Sequence, residues 1–371
     1  MPEITRKLLK KLRGGVVELQ PSASPRGRVL LSYTTLPFIS PNALDGHTNR
    51  WECRRIAELF LEAGYAVDVV DFDHPTFTPH RTYNFCLDIA HNLERFTPSL
   101  GKGCVKVFHA TTSHWLFNNQ AEYTRLLELQ KRRGFTLVPQ RALTPSRNIE
   151  VADVVTLLGN DVTAGTYAYA QKSLRRIPIS TTHLYPAPER KKIARAKTGF
   201  IWFGGSGIVH KGLDLVLETF TTLPDLHLTV FGKADTDFTH AYRKELQETA
   251  NIQFLGHVDP GSRVFQNALE TSIGLIFPSC AEGSSGGVVT AMHAGLIPIV
   301  SKEAGVDIGE AGIILPDCTV DTMRQVVTEL TKLPEEQLNT LMLASWHKAR
   351  AQHTRELFSA AYEHVIRELI S

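Results

Sequence analysis

The chain is short of several features that would assign it at once to a class. No apolar run approaches the ~20 residues needed to span a bilayer, and the longest, such as residues 273–277, are strand-sized. The five cysteines, Cys53, Cys86, Cys104, Cys280 and Cys318, are odd in number, scattered and without a C-x-x-C pair. This excludes a disulfide framework and a cysteine zinc site as good readings, and makes a reducing cytoplasm the expected compartment. Charge of one sign is missing too: 40 Lys+Arg against 38 Asp+Glu leave a formal +2. A protein built mainly to bind nucleic acid carries more positive charge than that. The N-terminus, MPEITRKLLKKLRGG, has no uninterrupted apolar segment and no small-residue cleavage site, so it does not read as a secretory signal.

What is present is ordinary globular composition, 43% hydrophobic and 21% charged over 371 residues. At ~100–200 residues per domain, two domains are expected. Residues 1–24 form a basic segment in which Ile4, Leu8, Leu9 and Leu12 fall at helical spacing among Arg6, Lys7, Lys10, Lys11 and Arg13. Such a helix suits an anionic membrane surface, or it is a solvated tail.

Strand and helix signals then alternate. RVLLSY (28–33), YAVDVVDF (65–72), CVKVFHA (104–110) and VADVVTLLG (151–159) read as strands, and Ile56, Leu59, Phe60 and Ala63 make a helical stripe that stops at Gly64. A Leu-rich helix is expected over about 119–133. Residues 186–199, PAPERKKIARAKTG, break the pattern with two prolines and five basic residues against one acid. The alternation restarts with GFIWFGG (199–205), LHLTVFG (226–232), IQFLG (252–256), SIGLIFPS (272–279) and IPIVS (297–301). Strands apolar along their length and joined by helices imply a mostly parallel sheet covered on both faces. The expected fold is therefore α/β, two Rossmann-like doubly wound domains facing across a cleft. The expected divisions are 1–24, 25–187, a linker at 188–198, 199–345, and a final helix over 346–371 crossing back to the first domain.

Two stretches carry the chemistry. FPSCAEGSSGGVVTAMHAGLIPIVSKEAG (277–305) runs from a strand through a loop with Glu282 and the small residues Gly283, Ser284, Ser285, Gly286 and Gly287 into a helix. Helix-end amides without partners and the helix dipole make an anion site there, which small side chains leave open. FGGSGIVHKG (203–212) repeats the arrangement and sets Lys211 where a second helix begins, placed to neutralise a diphosphate. Neither the P-loop nor the G-x-G-x-x-G dinucleotide pattern is present.

GSGIVHKG (205–212), NIQFLGHV (251–258) and PSCAEGSSGGVVTAMHAGLIPIVS (278–301) together resemble the donor-binding domain of GT-B glycosyltransferases, of the retaining family 4 or "glycosyl transferases group 1" type. The likeness covers about residues 199–316. More weakly, the Gly46 loop, HATTSHW (109–115) and VADVVTLLGND (151–161) resemble that family's acceptor-side domain. The resemblance implies that Lys211 binds the donor diphosphate and Glu282 the sugar hydroxyls. It implies that Gly205, Ser284, Ser285, Gly286 and Gly287 belong to the phosphate-binding loops, and that Gly46 lets the acceptor domain approach the phosphates. His109 matches a histidine near the reacting carbon, where it would orient the substrate, and packing at the strand end is the alternative. Two positions depart from the pattern. Thr290 stands where a second glutamate grips the ribose, and Ser206 where an arginine precedes the lysine. A threonine hydroxyl cannot replace an ionised bidentate acceptor.

His47, His114 and Trp115 line an acceptor cleft in one reading, and in the other His114 and Trp115 cap the start of a helix. Asp71-Phe72-Asp73 and Asp235-Thr236-Asp237 read as solvated turn carboxylates, and no metal site is expected. The implied activity is retaining sugar transfer from a UDP- or GDP-sugar to a glycan or lipid-linked acceptor, with no cofactor required and no nucleic acid partner. The expected setting is cell-surface polysaccharide or glycolipid synthesis in the cytoplasm, peripheral on the inner face of the membrane. The basic N-terminus, Lys131-Arg132-Arg133 and the basic linker suit such a surface. Alternatives are an inactive GT-B scaffold partnering an active transferase, and a nucleotide-sugar epimerase.

Overall fold

The computed structural model describes residues 15–371, so the basic helix expected over the first 14 residues lies outside the described residues. The first domain holds a seven-stranded sheet. Its strands are β1 (Val16–Leu19), β2 (Gly27–Tyr33), β3 (Tyr65–Asp71), β4 (Phe85–Asp88), β5 (Val105–Ala110), β6 (Val154–Leu157) and β7 (Leu174–Arg176). They lie in the order β1-β3-β2-β4-β5-β6-β7, parallel except for β1, which pairs antiparallel with β3 from Val16↔Val70 to Leu19↔Val67. The segment expected to stand apart as residues 1–24 thus contributes an edge strand. VVEL has the β-branched content and length of a strand, and β3 offered it an unpaired edge.

The second sheet has six strands, all parallel. They are β8 (Gly199–Phe203), β9 (His227–Phe231), β10 (Ile252–Gly256), β11 (Gly274–Phe277), β12 (Ile297–Val300) and β13 (Ile313–Ile314). The order β10-β9-β8-β11-β12-β13 is the 3-2-1-4-5-6 winding of a doubly wound fold. Its direction reverses between β8 and β11. Ligands bind such sheets in the crevice beyond the carboxyl ends of those two strands. The two Gly-rich stretches follow β8 and β11, so the topology alone puts them side by side.

Helix α1 (Thr48–Glu62) covers the first sheet with Ile56, Leu59 and Phe60 buried. Helix α2 (Trp115–Arg133) begins earlier than its Leu stripe, because the His114 ring accepts the Leu116 N–H at 3.3 Å and caps it. Helix α3 (Leu213–Thr221) follows the β8 loop and α4 (Gly286–His293) the β11 loop. Within the linker, Ile193 and Ala196 are buried on a short helix, Ile193–Ala196, packed against α5 (Glu335–Gln352).

The crossing back falls at residues 353–354, later than position 346. Helix α5 stays with the second domain through Ser345, whose hydroxyl donates to Leu296 O at 2.7 Å. Only α6 (Arg355–Ile370) returns to the first domain, where Arg55 Nε donates to Ser359 Oγ at 2.7 Å and Phe358 packs edge-on to Trp51. Among the described residues no helix is long and apolar enough to cross a membrane.

Candidate active site

Lys211 and Glu282 meet at the reversal point of the second sheet. The β8 loop turns through Lys211 N–H to Gly207 O at 3.0 Å and Gly212 N–H to Val209 O at 2.9 Å. This delivers the Lys211 side chain beneath the β11 loop, its ammonium 5.4 Å from the Phe277 ring centroid. Lys211 Nζ donates to Glu282 Oε1, and Ser279 Oγ donates to the same oxygen at 3.1 Å. Both partners are buried. Burial alone would raise the Glu282 carboxyl, but the Lys211, Arg141 and His210 charges outweigh it and hold the group down at about 2.

The first domain grips this loop from the other side. Ser113 Oγ donates to Glu282 O at 2.7 Å, and Thr163 Oγ1 lies 3.2 Å from Glu282 O and 3.1 Å from Gly283 O. A Cβ on Gly283 would stand 2.2 Å from Thr111 O, so only glycine admits this backbone contact.

The loop ends at α4, where Ser285 Oγ accepts from Val288 N–H. The Ser285 N–H itself donates to Ala304 O at 3.1 Å. Ser285 is therefore a capping residue, and the amides at the open helix end are those of Gly286 and Gly287. Ser284 stands half-buried beside them. The α4 N-terminus faces the N-terminus of α1 across the cleft, a Cβ on Gly286 coming within 3.8 Å of Thr48 Oγ1. Two positive helix ends thus converge from the two domains.

The remaining expected residues divide. Gly205 and Ser206 are exposed on the β8 loop. Gly46 and His47 are exposed just before α1, His47 accepting from Asn49 N–H at 3.2 Å. Thr290 is buried and donates its hydroxyl to Gly286 O at 2.7 Å, so its proton already serves the helix.

His109 is packed inside the first domain at the end of β5. It is fully buried between Tyr33 and Tyr362, with Nδ1 2.8 Å from Thr156 Oγ1. Burial pushes its imidazole down to about 3. Helix α6, folded back onto the first domain, walls it in.

His114 caps α2 and its Nε2 lies 3.1 Å from Tyr169 OH. With Trp115, Phe117, Arg147, Glu150 and Tyr169 it also lines an open cavity of about 700 Å³, so capping and lining coexist. Of the carboxylates read as solvated, Asp71 is buried and accepts from Thr35 N and Oγ1 at 2.9 and 2.8 Å, while Asp235 caps a helix through Phe238 N–H. Among the described residues no group of three or more His, Cys, Asp or Glu is arranged to hold a metal.

The basic clusters are largely occupied. Arg132 pairs with Asp214 at 2.6 Å and Glu218 at 3.0 Å, and Arg133 with Glu245 at 2.8 Å, tying α2 to the second domain. In the linker, Lys191 and Lys197 donate to the carbonyls of Ser272 and Leu333, each at 3.0 Å. Arg132 and Arg133 therefore fasten the two domains, and Lys191 and Lys197 tie the linker to the second domain. Ser113, Thr163 and Arg141 escaped the sequence reading. Ser113 falls within HATTSHW, Thr163 on the short helix Asp161–Gly165 and Arg141 in the segment after α2, and only the meeting of the two domains brings them to Glu282.

Residues 198–332 match the family described as "Glycosyl transferases group 1". No curated protein matches the chain. Among solved structures, sucrose-phosphate synthase from Thermosynechococcus elongatus superposes with a TM-score of 0.66 at 13% identity, over 93% of this chain and 99% of that one. WaaG, a glycosyltransferase involved in lipopolysaccharide biosynthesis, gives 0.57 at 14% identity, over 91% and 99%. Alr3699/HepE from Anabaena, solved with UDP and glucose, gives 0.54 at 11%, over 93% and 99%. The second domain thus matches the glycosyl transferases group 1 family over residues 198–332, in a chain with the GT-B fold.

Proposed function

We propose that the protein transfers a sugar, with retention, from a nucleoside-diphosphate sugar to a glycan or lipid-linked acceptor. The observation that carries this reading is the meeting of Lys211, Glu282 and the open α4 N-terminus at the reversal point of the second sheet. A diphosphate there would lie against the Gly286 and Gly287 amides and the Lys211 ammonium. Glu282 would then turn its carboxylate to the sugar hydroxyls.

In the reaction the bond from the anomeric carbon to the phosphate oxygen breaks. A bond from the same carbon to the acceptor oxygen forms on the same face. The acceptor's proton passes to the departing phosphate, whose growing charge Lys211 and the amides stabilise. No side chain is needed as nucleophile, and His109 is too deeply buried to be one.

UDP is the favoured carrier, since the Anabaena neighbour was solved with UDP and glucose. The cavity beside Trp115 and Tyr169 is the acceptor side in this reading, its aromatic faces suited to sugar rings. Residues 1–14, with exposed Lys192 and Arg195, supply a basic contact for an anionic membrane surface.

The test is a panel of UDP- and GDP-sugars offered to wild type, Lys211→Gln and Glu282→Gln, with nucleotide release and calorimetric binding as readouts. Release by wild type and its loss in both folded variants is the expected result. Release that survives both substitutions would refute the roles given to these residues. A wild type that binds no nucleotide at millimolar concentration would favour the scaffold reading, which the occupied Thr290 hydroxyl motivates.

A further inference from the structure

Pairing with Glu282 cancels most of the charge Lys211 would bring to a diphosphate. The two loops offer no replacement: residues 204–212 and 278–287 contain no other lysine or arginine. His210 is driven down to about 4 by burial, so it is neutral at pH 7. A nucleoside diphosphate carries two or more negative charges, and two helix ends supply only about half a charge each.

The missing cation is present in the other domain. Arg141 comes from the segment that follows α2, and its backbone is fixed there. Its N–H donates to Glu122 Oε1 at 2.7 Å, Gln140 N–H to the same oxygen at 2.8 Å, and Asn118 Nδ2 donates to Arg141 O at 2.8 Å. The side chain then reaches over the β8 loop and lies on Gly207. A Cβ at Gly207, whose φ is +77°, would stand 2.1 Å from Arg141 Cγ and 2.6 Å from its Cδ, so the loop makes room for this side chain.

The guanidinium's charge is felt at Lys211, Glu282, His47 and His210, which places it within the same cluster. It is nevertheless not consumed. Among the described residues Arg141 forms no ion pair, and its buried Nε has no hydrogen-bond partner. Glu122, the acid that its backbone N–H meets, spends Oε1 on the two backbone amides.

We propose that Arg141, reaching across the cleft from the first domain, binds the donor diphosphate beside Lys211. This rests on the donor reading given above and adds a consequence to it. Because the second cation belongs to the opposite domain, a diphosphate is held fully only when the domains are closed on each other.

The experiment measures UDP, GDP and uridine binding calorimetrically to wild type, Arg141→Ala, Arg141→Gln and the double variant Arg141→Ala/Ser206→Arg. The exposed Ser206 neighbours Gly207, so an arginine there returns a cation to the same spot from the second domain. Expected is a loss of about tenfold or more in diphosphate affinity in both single variants. Uridine affinity should stay within about twofold of wild type, and the double variant should recover much of the loss. Wild-type diphosphate affinity in Arg141→Gln or Arg141→Ala would overturn the assignment while leaving the donor site standing. Equal losses for UDP and uridine would overturn it as well, by showing a structural role. Absence of diphosphate binding by wild type would overturn both readings together.

Discussion

Lys211 and Glu282 hold each other at the floor of the cleft. The ammonium donates to the carboxylate, and each is the atom the other would otherwise offer to a ligand. The pair is buried, with Ser279, the Phe277 ring, His210 and the Arg141 charge around it. A donor must therefore insert between two groups that already satisfy one another. The free protein keeps its charges compensated by storing them as a pair.

Removing one partner should expose the cost of that arrangement. Glu282→Ala leaves a buried ammonium without its carboxylate, and is expected to lower unfolding free energy by about 3–5 kcal/mol. Replacing both residues, as Lys211→Met with Glu282→Leu, should recover most of the loss, since no charge is then buried. Urea titration of the single and double variants measures both values. A single variant losing less than about 1 kcal/mol would mean the pair is solvated and open in solution.

The same pair sets an acid limit. The Glu282 carboxyl is held at about 2 against a usual 4.5, so the native state binds its proton later than the unfolded chain. A depressed carboxyl stabilises above its unfolded value and loses that contribution as pH falls through the folded one. Stability should therefore drop between about pH 4.5 and 2 in wild type. The drop should be smaller in Glu282→Gln, which has no proton to take up. Denaturant midpoints across that range give the comparison, and parallel curves for the two proteins would contradict it.

The fastening of α2 to the second domain leads to a different expectation. Asp214 is fully buried and its carboxyl is raised to about 6 by burial, against the pull of Arg125 and Arg132. Arg132→Ala would leave it with Arg125 as its one nearby cation and Glu218 unscreened beside it, and should cost about 1–3 kcal/mol. The larger effect should be on domain docking. Faster amide exchange is expected in residues 204–212, which lie under the same interface, with little change in the β8 and β9 core. Exchange unchanged in that loop would show that the ion pairs do not hold the domains together.

The fold could be read from the sequence because its strands are continuous apolar runs, which periodicity detects, and because β8 and β11 end in Gly-rich loops whose purpose is local. Lys211 and Glu282 were legible for that reason: each sits in a motif with its own physical logic. Arg141, Ser113 and Thr163 were not, since their positions follow from how two domains close. His109 misleads in sequence because a strand-end histidine suits a site and a packed core alike, and only α6, far later in the chain, covers it with Tyr362. The basic runs misled in the same way. Arg132 and Arg133 look solvent-facing in sequence, and their acid partners Asp214, Glu218 and Glu245 lie in the other domain.

His109 offers a direct check on that last point. His109→Ala would open a cavity beside Tyr33 and Tyr362 and deprive Thr156 of its ring partner. It should cost about 2–4 kcal/mol of stability. Per folded molecule, sugar release should be close to wild type. Thermal unfolding and release rates on the same preparation separate the two effects. A variant of unchanged stability and abolished release would return His109 to the reaction.

The proposed membrane contact draws on fewer residues than the sequence offers. With Arg132 and Arg133 ion-paired and Lys191 and Lys197 bonded to carbonyls, the proposed contact falls to the basic groups of residues 1–14 together with the exposed Lys192 and Arg195 of the linker. Each lysine or arginine near an anionic leaflet contributes about 1 kcal/mol, and the attraction decays within a Debye length. Binding to phosphatidylserine-containing vesicles should therefore be strong at low salt and fall steeply toward about 0.15 M. It should vanish in a chain lacking residues 1–14 and persist in Arg132→Ala. Vesicle flotation at graded salt reads all of these together. Retention of binding after removal of residues 1–14, or its loss in Arg132→Ala, would mean that the contact surface is a different one.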